Sequence, residues 1–327
     1  LEFDDNSKIE LIEDEAFGGS TIENVYIPSS IMQINKYAFA GCKSLINCTL
    51  PKKVTIIKDY LFRDCTSLTS IEILGDVTSI EIGAFKGCSN LHFIKIPENV
   101  TFIGDSVFYK CSSLQSIDIP EKVEHIGNSV FNTCTNLPNC IIPKKVTIIE
   151  DRLFSLCSSL TYVEFQGDIT SIGANAFSSC KKIPFFKIPE TVEFIGSSAF
   201  SSCSFPNCTI PSKVTIIRNM MFYGCFELKS VELPENVTSI EYHAFCMCSS
   251  LQIIKIPEKV EYINKWVFGL CSSLKNITIP SKVTVIEDSL FASSAIRLIE
   301  ILGDVTSIKH YAFANCDDLM IIEINDE

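Results

Sequence analysis

Hydrophobic side chains recur along this chain at a fixed interval, and phenylalanine marks the interval most clearly. Ten of the thirteen intervals between successive members of this phenylalanine column are 23 residues long and three are 22. The column consists of Phe17, Phe39, Phe62, Phe85, Phe108, Phe131, Phe154, Phe177, Phe200, Phe222, Phe245, Phe268, Phe291 and Phe313. A constant period of this length predicts a solenoid, in which each repeat forms one coil that packs on its two neighbours.

Within one repeat the apolar positions predict short strands rather than helices. The stretch from Cys88 to Phe108 carries apolar side chains at Leu91, Ile94, Ile96, Val100, Ile103 and Val107. Lys95 between two isoleucines gives the alternation of a strand, with Lys95 outward. A coil this short leaves no room for an α-helix of ordinary length, so we expect short strands joined by tight or 3₁₀ turns.

The repeated pattern C-x-x-L-x-x-I-x-I-P-x-x-V-x-x-I-x-x-x-(A/V/L)-F resembles the BspA-like, or Treponema-type, class of leucine-rich repeat. The resemblance covers residues 1–327, with a partial unit at each end and no capping unit. It implies a leucine-rich-repeat solenoid, mostly β with short 3₁₀ turns, in which about 14 coils form a curved, right-handed array with a parallel concave sheet. It also implies a cell-surface or secreted protein that adheres to host or matrix proteins.

Three kinds of repeat alternate along the chain, which indicates growth by duplication of three-repeat cassettes. One kind contains P-K-K-V-T-I-I, as at Pro51 and Pro143, and a second contains G-D-V-T-S-I, as at Gly75 and Gly303. The third kind, called here the I-P-E repeat, contains I-P-E-x-V-x-x-I and begins this motif at Ile96, Ile119, Ile188 and Ile256. Duplication by itself accounts for many identical surface residues.

Length and charge narrow the class of protein. No Gly/Ser-rich or Pro-rich linker interrupts the repeats, so we predict one elongated domain over residues 1–327. The net charge of −12 without a basic stripe argues against binding to nucleic acid or to anionic lipid. No apolar run is long enough to insert directly into a membrane. Residues 1–5 do not resemble a signal peptide, so we expect a fragment or a mature chain without its leader and anchor.

The sixteen cysteines follow the repeat. Twelve lie three residues after the column phenylalanine, and Cys48, Cys140 and Cys208 replace a core isoleucine of the strand. Side chains of one column point the same way at strand spacing, so we predict a buried ladder of thiols whose S–H groups reach backbone carbonyls. Occasional disulfides and a metal site are the alternatives. Parallel side chains disfavour disulfides, and the chain has no C-x-x-C motif.

Residues that could carry out chemistry are not arranged in any recognisable motif. The four histidines lie in different coils, and no H-E-x-x-H, G-x-S-x-G or phosphate-binding loop occurs. We therefore predict no catalytic residue, no metal and no cofactor. Five N-x-S/T sequons occur, and Asn99 and Asn236 lie at corners after a Pro-Glu pair, where an N-linked glycan could project.

The outward-facing columns of the strands contain the candidate partner-binding residues. They are Phe93, Tyr162, Glu164, Phe185, Lys187 and Ile253. Exposed aromatic side chains indicate an interface, and we expect Tyr162 and Phe185 to lie side by side in adjacent coils. The acid–lysine neighbours of the charged column either pair across strands or form a recognition stripe. The apolar column could instead be covered by a glycan, a flanking segment or a second copy.

The combined prediction is a non-enzymatic protein-binding or adhesion module of a surface or secreted protein. Its partner would be a protein, such as a host matrix or cell-surface protein, bound on the concave sheet. The alternative is an intracellular leucine-rich-repeat scaffold, since free thiols are typical of a reducing compartment. A leader or an anchor in a longer chain would separate the two hypotheses.

Overall fold

The computed structural model describes residues 7–324, which form a parallel-strand β-solenoid of about 14 coils without any helix in that range. The solenoid prediction is therefore confirmed. The described residues divide into two compact units at the Asp168–Ile169 peptide bond. The arrangement of residues 1–327 as one domain stays a prediction. The partial repeats expected at the two ends extend into residues 1–6 and 325–327, which lie outside the described residues.

Short parallel strands make up both units. The described part of the first unit contains β1 Leu11–Ile12, β2 Asn24–Tyr26, β3 Gln33–Ile34, β4 Asn47–Leu50, β5 Ile56–Ile57, β6 Ser70–Ile73, β7 Ser79–Ile80, β8 Phe102–Ile103, β9 His125–Ile126, β10 Asn139–Ile142, β11 Ile148–Ile149 and β12 Tyr162–Phe165. The described part of the second contains β13 Ser171–Ile172, β14 Phe194–Ile195, β15 Asn207–Thr209, β16 Ile216–Ile217, β17 Ser230–Glu232, β18 Ser239–Ile240, β19 Ile253–Ile254, β20 Tyr262–Ile263, β21 Asn276–Ile279, β22 Val285–Ile286, β23 Leu298–Ile301, β24 Ser307–Ile308 and β25 Ile321–Ile324.

Two sides of each complete coil consist of a strand or of strand-like backbone, and the strands of successive coils form two series of sheets. Sheet A is the side of the coils that carries the outward columns. Its strands are β2–β4–β6 and β10–β12 in the first unit and β15–β17–β19 and β21–β23–β25 in the second, and the coils of Phe93, Ser116 and Phe185 run along this side without forming a strand there. Sheet B contains the two-residue strands, such as β5–β7–β8–β9 and β16–β18–β20. Equivalent residues of successive coils face each other without a shift, as Asn47 faces Ser70. A column in the sequence is therefore a column in space.

The parallel sheet expected from the sequence is present, but sheet A is interrupted within each unit. In the first unit the I-P-E repeat around Lys95 keeps the alternation, with Ile94 and Ile96 buried, but a single bridge from Lys95 to Asp118 joins it to the next coil. The I-P-E repeat of β19 contributes only two strand residues. Between β4 and β6, the Ser70 hydroxyl donates to Asn47 Oδ1 over 2.7 Å and reinforces the strand pairing. Most of the I-P-E repeats have an apolar side chain at the position of Ser70, which cannot form this hydrogen bond.

The third side of each coil is a hydrogen-bonded turn around the column phenylalanine. In the coil of Phe131, the amide groups of Ser129, Phe131 and Thr133 donate to carbonyls of the following coil over 2.8–3.0 Å. The alternate amides, such as that of Asn132, donate three residues back within the coil. Ser129 and Thr133 have φ of 58° and 63°, and these left-handed residues turn alternate peptide planes toward the neighbouring coil. The predicted 3₁₀ turns are thus present only as alternate bonds and not as a continuous 3₁₀-helix.

The core lies between the three sides and is dominated by the phenylalanine column. Phe85 is fully buried and stacks on Phe62 and Phe108 at centroid distances of 5.6 and 5.7 Å. In the second unit Phe245 stacks in the same way on Phe222 and Phe268, at 5.4 and 5.9 Å. Because each of these two rings contacts the equivalent rings of both neighbouring coils, the column transmits packing from one repeat to the next within a unit.

Candidate functional site

The outward face of sheet A in the first unit carries two of the predicted apolar residues. Phe93 is 46% exposed and Tyr162 is 55% exposed. The Tyr162 hydroxyl donates to Glu164 Oε2 over 3.4 Å within β12, and Glu164 is half-buried. Tyr162 therefore presents its ring to solvent while its hydroxyl is already engaged.

The second unit carries the other members of the predicted set. Phe185 and Ile253 are each 70% exposed, and Lys187 is exposed beside Phe185. Side chains of this size rarely remain so open on a sheet unless something binds them. Tyr162 and Phe185 belong to different units, so their expected proximity stays a prediction, as does the binding role of the whole set.

Polar residues between the apolar positions are paired with one another. The Ser230 hydroxyl donates to Asn207 Oδ1 over 2.7 Å, and the Thr209 hydroxyl donates to Glu232 Oε2 over 3.0 Å. The charged column does not follow the simple cross-strand pairing that the sequence suggested, because Lys255 Nζ contacts Glu235 at 3.3 Å rather than Glu232. Both of those side chains are well exposed, so the contact contributes at most about 1 kcal/mol.

Shallow depressions lie where an I-P-E repeat meets the next coil. In the first unit, one depression is lined by Phe93, Lys95 and Asp118 together with Glu98 and Lys122. In the second unit, two depressions have matching polar residues. The first is lined by Phe185, Phe186, Lys187, Ile188, Glu190, Asn207, Cys208 and Thr209. The second is lined by Ile254, Lys255, Ile256, Glu258, Asn276, Ile277, Thr278 and Leu298.

The cysteine ladder forms part of the core and not part of this face. Cys65 and Cys88 are fully buried, and each Sγ donates to the carbonyl of the column phenylalanine of the preceding coil, over 3.0 and 3.1 Å. All sixteen cysteines are free thiols in the structure. Burial raises the pKa of the Cys225 thiol to about 12 and that of the Cys246 thiol to about 11. The predicted burial and backbone bonding of the ladder are confirmed, and its reduced state in solution is tested below.

Both corner sequons lie in turns. Asn236 is exposed in the turn closed by the Val237 amide and the Pro234 carbonyl, and Asn99 is half-buried in the equivalent turn. Each side-chain amide oxygen accepts from the lysine of the next coil, Lys122 at 2.6 Å for Asn99 and Lys259 at 2.9 Å for Asn236. Glycosylation at either position stays a prediction.

Sequence reasoning missed an aromatic cluster at the turns of the second unit. The His243 ring lies 3.8 Å from Tyr242, 5.9 Å from Tyr223 and 5.8 Å from Trp266, measured between ring centroids. Burial lowers the pKa of His243, and its Nδ1 is the one buried side-chain nitrogen or oxygen among the described residues that lacks a hydrogen-bond partner. The only available signal was a large side chain two residues before the column phenylalanine.

The described residues contain neither a metal-binding cluster nor a membrane-spanning helix. Within residues 7–324, no three or more histidine, cysteine, aspartate or glutamate side chains gather closely enough to hold a metal ion. The part of the chain that the structure describes also has no helix with the length and apolarity needed to cross a membrane.

Comparison with solved structures finds bacterial leucine-rich repeat proteins. A leucine-rich repeat protein from Bacteroides ovatus is 30% identical with a TM-score of 0.78, covering 96% of this chain and 82% of its own. A leucine rich cell surface protein from Faecalibacterium prausnitzii is 27% identical with a TM-score of 0.59, covering 94% and 88% of the respective chains. A leucine-rich repeat protein from Eubacterium ventriosum, 21% identical with a TM-score of 0.52 and covering 77% and 84%, shares the fold.

The sequence itself matches a family of repeats over almost its whole length. No functionally curated protein matches the sequence. The model of the BspA type leucine rich repeat region matches residues 2–115, 83–205 and 193–320. These matches agree with the periodic columns and with the parallel coils of the structure. The chain therefore belongs to the family of BspA type leucine-rich repeat proteins.

Proposed function

We propose that this chain is a non-enzymatic protein-binding module of a cell-surface or secreted protein, and that the outward face of sheet A is its binding surface. The observation that carries this proposal is the exposure of large apolar side chains, among them Phe93, Phe185 and Ile253, in the outward columns of sheet A. Large apolar side chains that stay open to water are the usual anchors of protein interfaces. The family is one of protein-interaction repeats, and one similar structure is described as a cell surface protein.

The partner class follows from the chemistry of this face. A net charge of −12 makes phosphate backbones and anionic lipid poor ligands, and the exposed anchors are apolar rather than basic. We therefore expect a folded or extended protein, and a host matrix or cell-surface protein suits a module displayed outside the cell. Adhesion is the corresponding biological role.

The alternative role as an intracellular scaffold rested on the free cysteines. Their burial and their hydrogen bonds to phenylalanine carbonyls account for the thiols by packing alone. Burial also disfavours the thiolate, which is the form that oxidises. The cysteine count therefore does not favour a reducing compartment over an oxidising one.

The test is direct binding to purified matrix and serum proteins. The immobilised chain is compared with a sheet-face variant, Phe93→Ser/Phe185→Ser/Ile253→Ser, and with a turn-side control, Phe226→Ser, which replaces a side chain that is 53% exposed. We expect the sheet-face variant to lose most of the binding and the control to keep it. Equal binding by all three proteins would exclude sheet A as the binding surface.

A further inference from the structure

The two matching depressions of the second unit point to a partner with a repeated feature. Lys187 and Lys255 occupy equivalent places in them, as do Glu190 and Glu258. The same holds for the next coil, where Asn207 and Thr209 correspond to Asn276 and Thr278. Phe185 lines the first depression, and Ile253, equally exposed, directly precedes the lining of the second.

The spacing of these sites is set by the solenoid. Phe185, Asn207, Ser230 and Ile253 are successive members of one outward column, so three coil spacings separate Phe185 from Ile253. Asn207, Ser230 and Ile253 pair in register through β15, β17 and β19, and the coil of Phe185 packs on that of Asn207 through the Phe200–Phe222 ring stack at 5.8 Å. At about 4.8 Å per coil, the two apolar side chains lie about 14 Å apart. Both lie in the same compact unit.

That distance discriminates between shapes of partner. Residues four apart in an extended strand point to the same side and are separated by about 14 Å. Residues on one face of an α-helix recur about 10 Å and about 16 Å apart, at seven and eleven residues. A polyproline helix returns to the same face every three residues, about 9 Å and about 19 Å apart. Only the extended strand matches both sites without distortion.

The surface between the sites suits such a segment. The Asn207 amide oxygen is already held by Ser230 and the Glu232 carboxylate by Thr209, so this stretch is polar but internally paired. The Asn207 amide nitrogen has no protein acceptor among the described residues and is free to donate to a peptide carbonyl. Lys187 forms no ion pair within residues 7–324, so it can receive a carboxylate of the partner.

We infer that sheet A of the second unit binds an extended polypeptide segment that crosses the strands, with two apolar side chains four residues apart seated beside Lys187 and Lys255. An acidic residue next to the first apolar side chain pairs with Lys187. This inference rests on the proposed function and specifies the shape and chemistry of the partner. The apolar side chains supply the affinity, because exposed ion pairs contribute little.

The experiment selects a phage library of random dodecapeptides on the immobilised 327-residue chain. We expect enriched peptides with paired apolar residues four apart and an adjacent aspartate or glutamate. A synthetic copy, followed by fluorescence anisotropy, should bind about tenfold more weakly to Phe185→Ser and to Ile253→Ser. It should bind unchanged to Phe226→Ser, and moving its apolar residues to a spacing of five should also cost about tenfold.

Selection of peptides without this spacing, or equal binding by both sheet-face variants, overturns the inference. Failure of this inference can be distinguished from failure of the proposed function. If the triple sheet-face variant no longer binds matrix or serum proteins, but no peptide with apolar residues four apart is selected, sheet A is a binding surface for a partner of another shape. If spaced peptides bind at Phe185 and Ile253 while protein capture is unaffected by the triple variant, the proposed function fails and the peptide site stands.

Discussion

At the scale of single residues, the cysteine ladder shows how packing controls reactivity. Cys111 and Cys157 are completely buried, and burial raises the pKa of both thiols. Their S–H groups donate to the carbonyls of Phe85 and Phe131 over 3.2 and 3.0 Å. A protonated, hydrogen-bonded thiol inside the core is a poor nucleophile, so we expect the ladder to be chemically silent while the protein is folded.

We expect alkylation of the folded chain to modify Cys316 and Cys42 before the other cysteines. Cys316 is the one cysteine that is half-buried rather than buried, and the hydrogen bond with Cys65 lowers the pKa of the Cys42 thiol to about 6. Iodoacetamide followed by mass spectrometry should show these two sites reacting first in the native protein and all sixteen in denaturant. Rapid modification of most ladder cysteines in the native protein, or a mass that indicates several disulfides, would contradict the buried thiol ladder.

The ladder also predicts loss of stability at alkaline pH. Unfolded thiols lose their protons near pH 9.0, whereas burial raises the pKa of folded Cys225 to about 12. Between these values the folded state binds more protons, so its free energy of unfolding falls as pH rises, by about 1.4 kcal/mol per pH unit for each such thiol. Denaturant midpoints between pH 8 and pH 10.5 should fall steeply.

Cys225→Ala provides the control for that titration. The variant should lose stability at all pH values because it leaves a small void, but its dependence on pH should be shallower by the contribution of one thiol. A midpoint that stays constant up to pH 10.5 in the parent chain would show that the ladder does not govern alkaline stability.

At the scale of the element, the turn around each column phenylalanine depends on backbone geometry that few residue types favour. In each complete coil of the described residues, the positions two before and two after the phenylalanine have positive φ. Side chains as different as those of Thr133 and Leu156 occupy the second position. A β-branched residue in this conformation is strained, and the strain persists because the turn amides are needed for hydrogen bonds between coils.

We expect Thr133→Gly to raise the free energy of unfolding by about 1 kcal/mol, since glycine relieves the left-handed strain. Gly87 occupies the equivalent position of another coil, with φ of 78°, and an added Cβ there would clash with Asp64 Oδ1. Gly87→Ala should therefore destabilise the chain. Chemical denaturation measures both variants, and changes of the same sign in the two would refute this account of the turn.

At the scale of the whole molecule, stability should depend on position along the array. Phe245 is fully buried between Phe222 and Phe268, whereas Phe313 is half-buried and stacks on Phe291 at 5.7 Å. Phe245→Ala should cost about 3–5 kcal/mol, and Phe313→Ala should cost less, because it removes fewer contacts near an end of the column. Equal losses at the two positions in denaturant titrations would contradict a nearest-neighbour array.

The sequence by itself determined the solenoid, the core columns and the outward direction of Phe93, Tyr162, Phe185 and Ile253. It could do so because successive parallel coils are in register, so that a periodic position in the chain becomes a column with one environment. Hydrophobic period and strand alternation carry that information residue by residue. Burial of the cysteine ladder followed from the same argument.

The tertiary structure alone decided how neighbouring coils bond at the turns, where sheet A is interrupted and which polar side chains pair. Thr133 carries no local signal for a left-handed conformation, since that conformation is imposed by hydrogen bonds to the next coil. Lys255 contacts Glu235 rather than Glu232 because a long lysine side chain on a solvated face can reach several carboxylates, and no single exposed ion pair is strongly favoured. The twin depressions beside Lys187 and Lys255 likewise arise from packing between coils, which a pattern of residue types does not record.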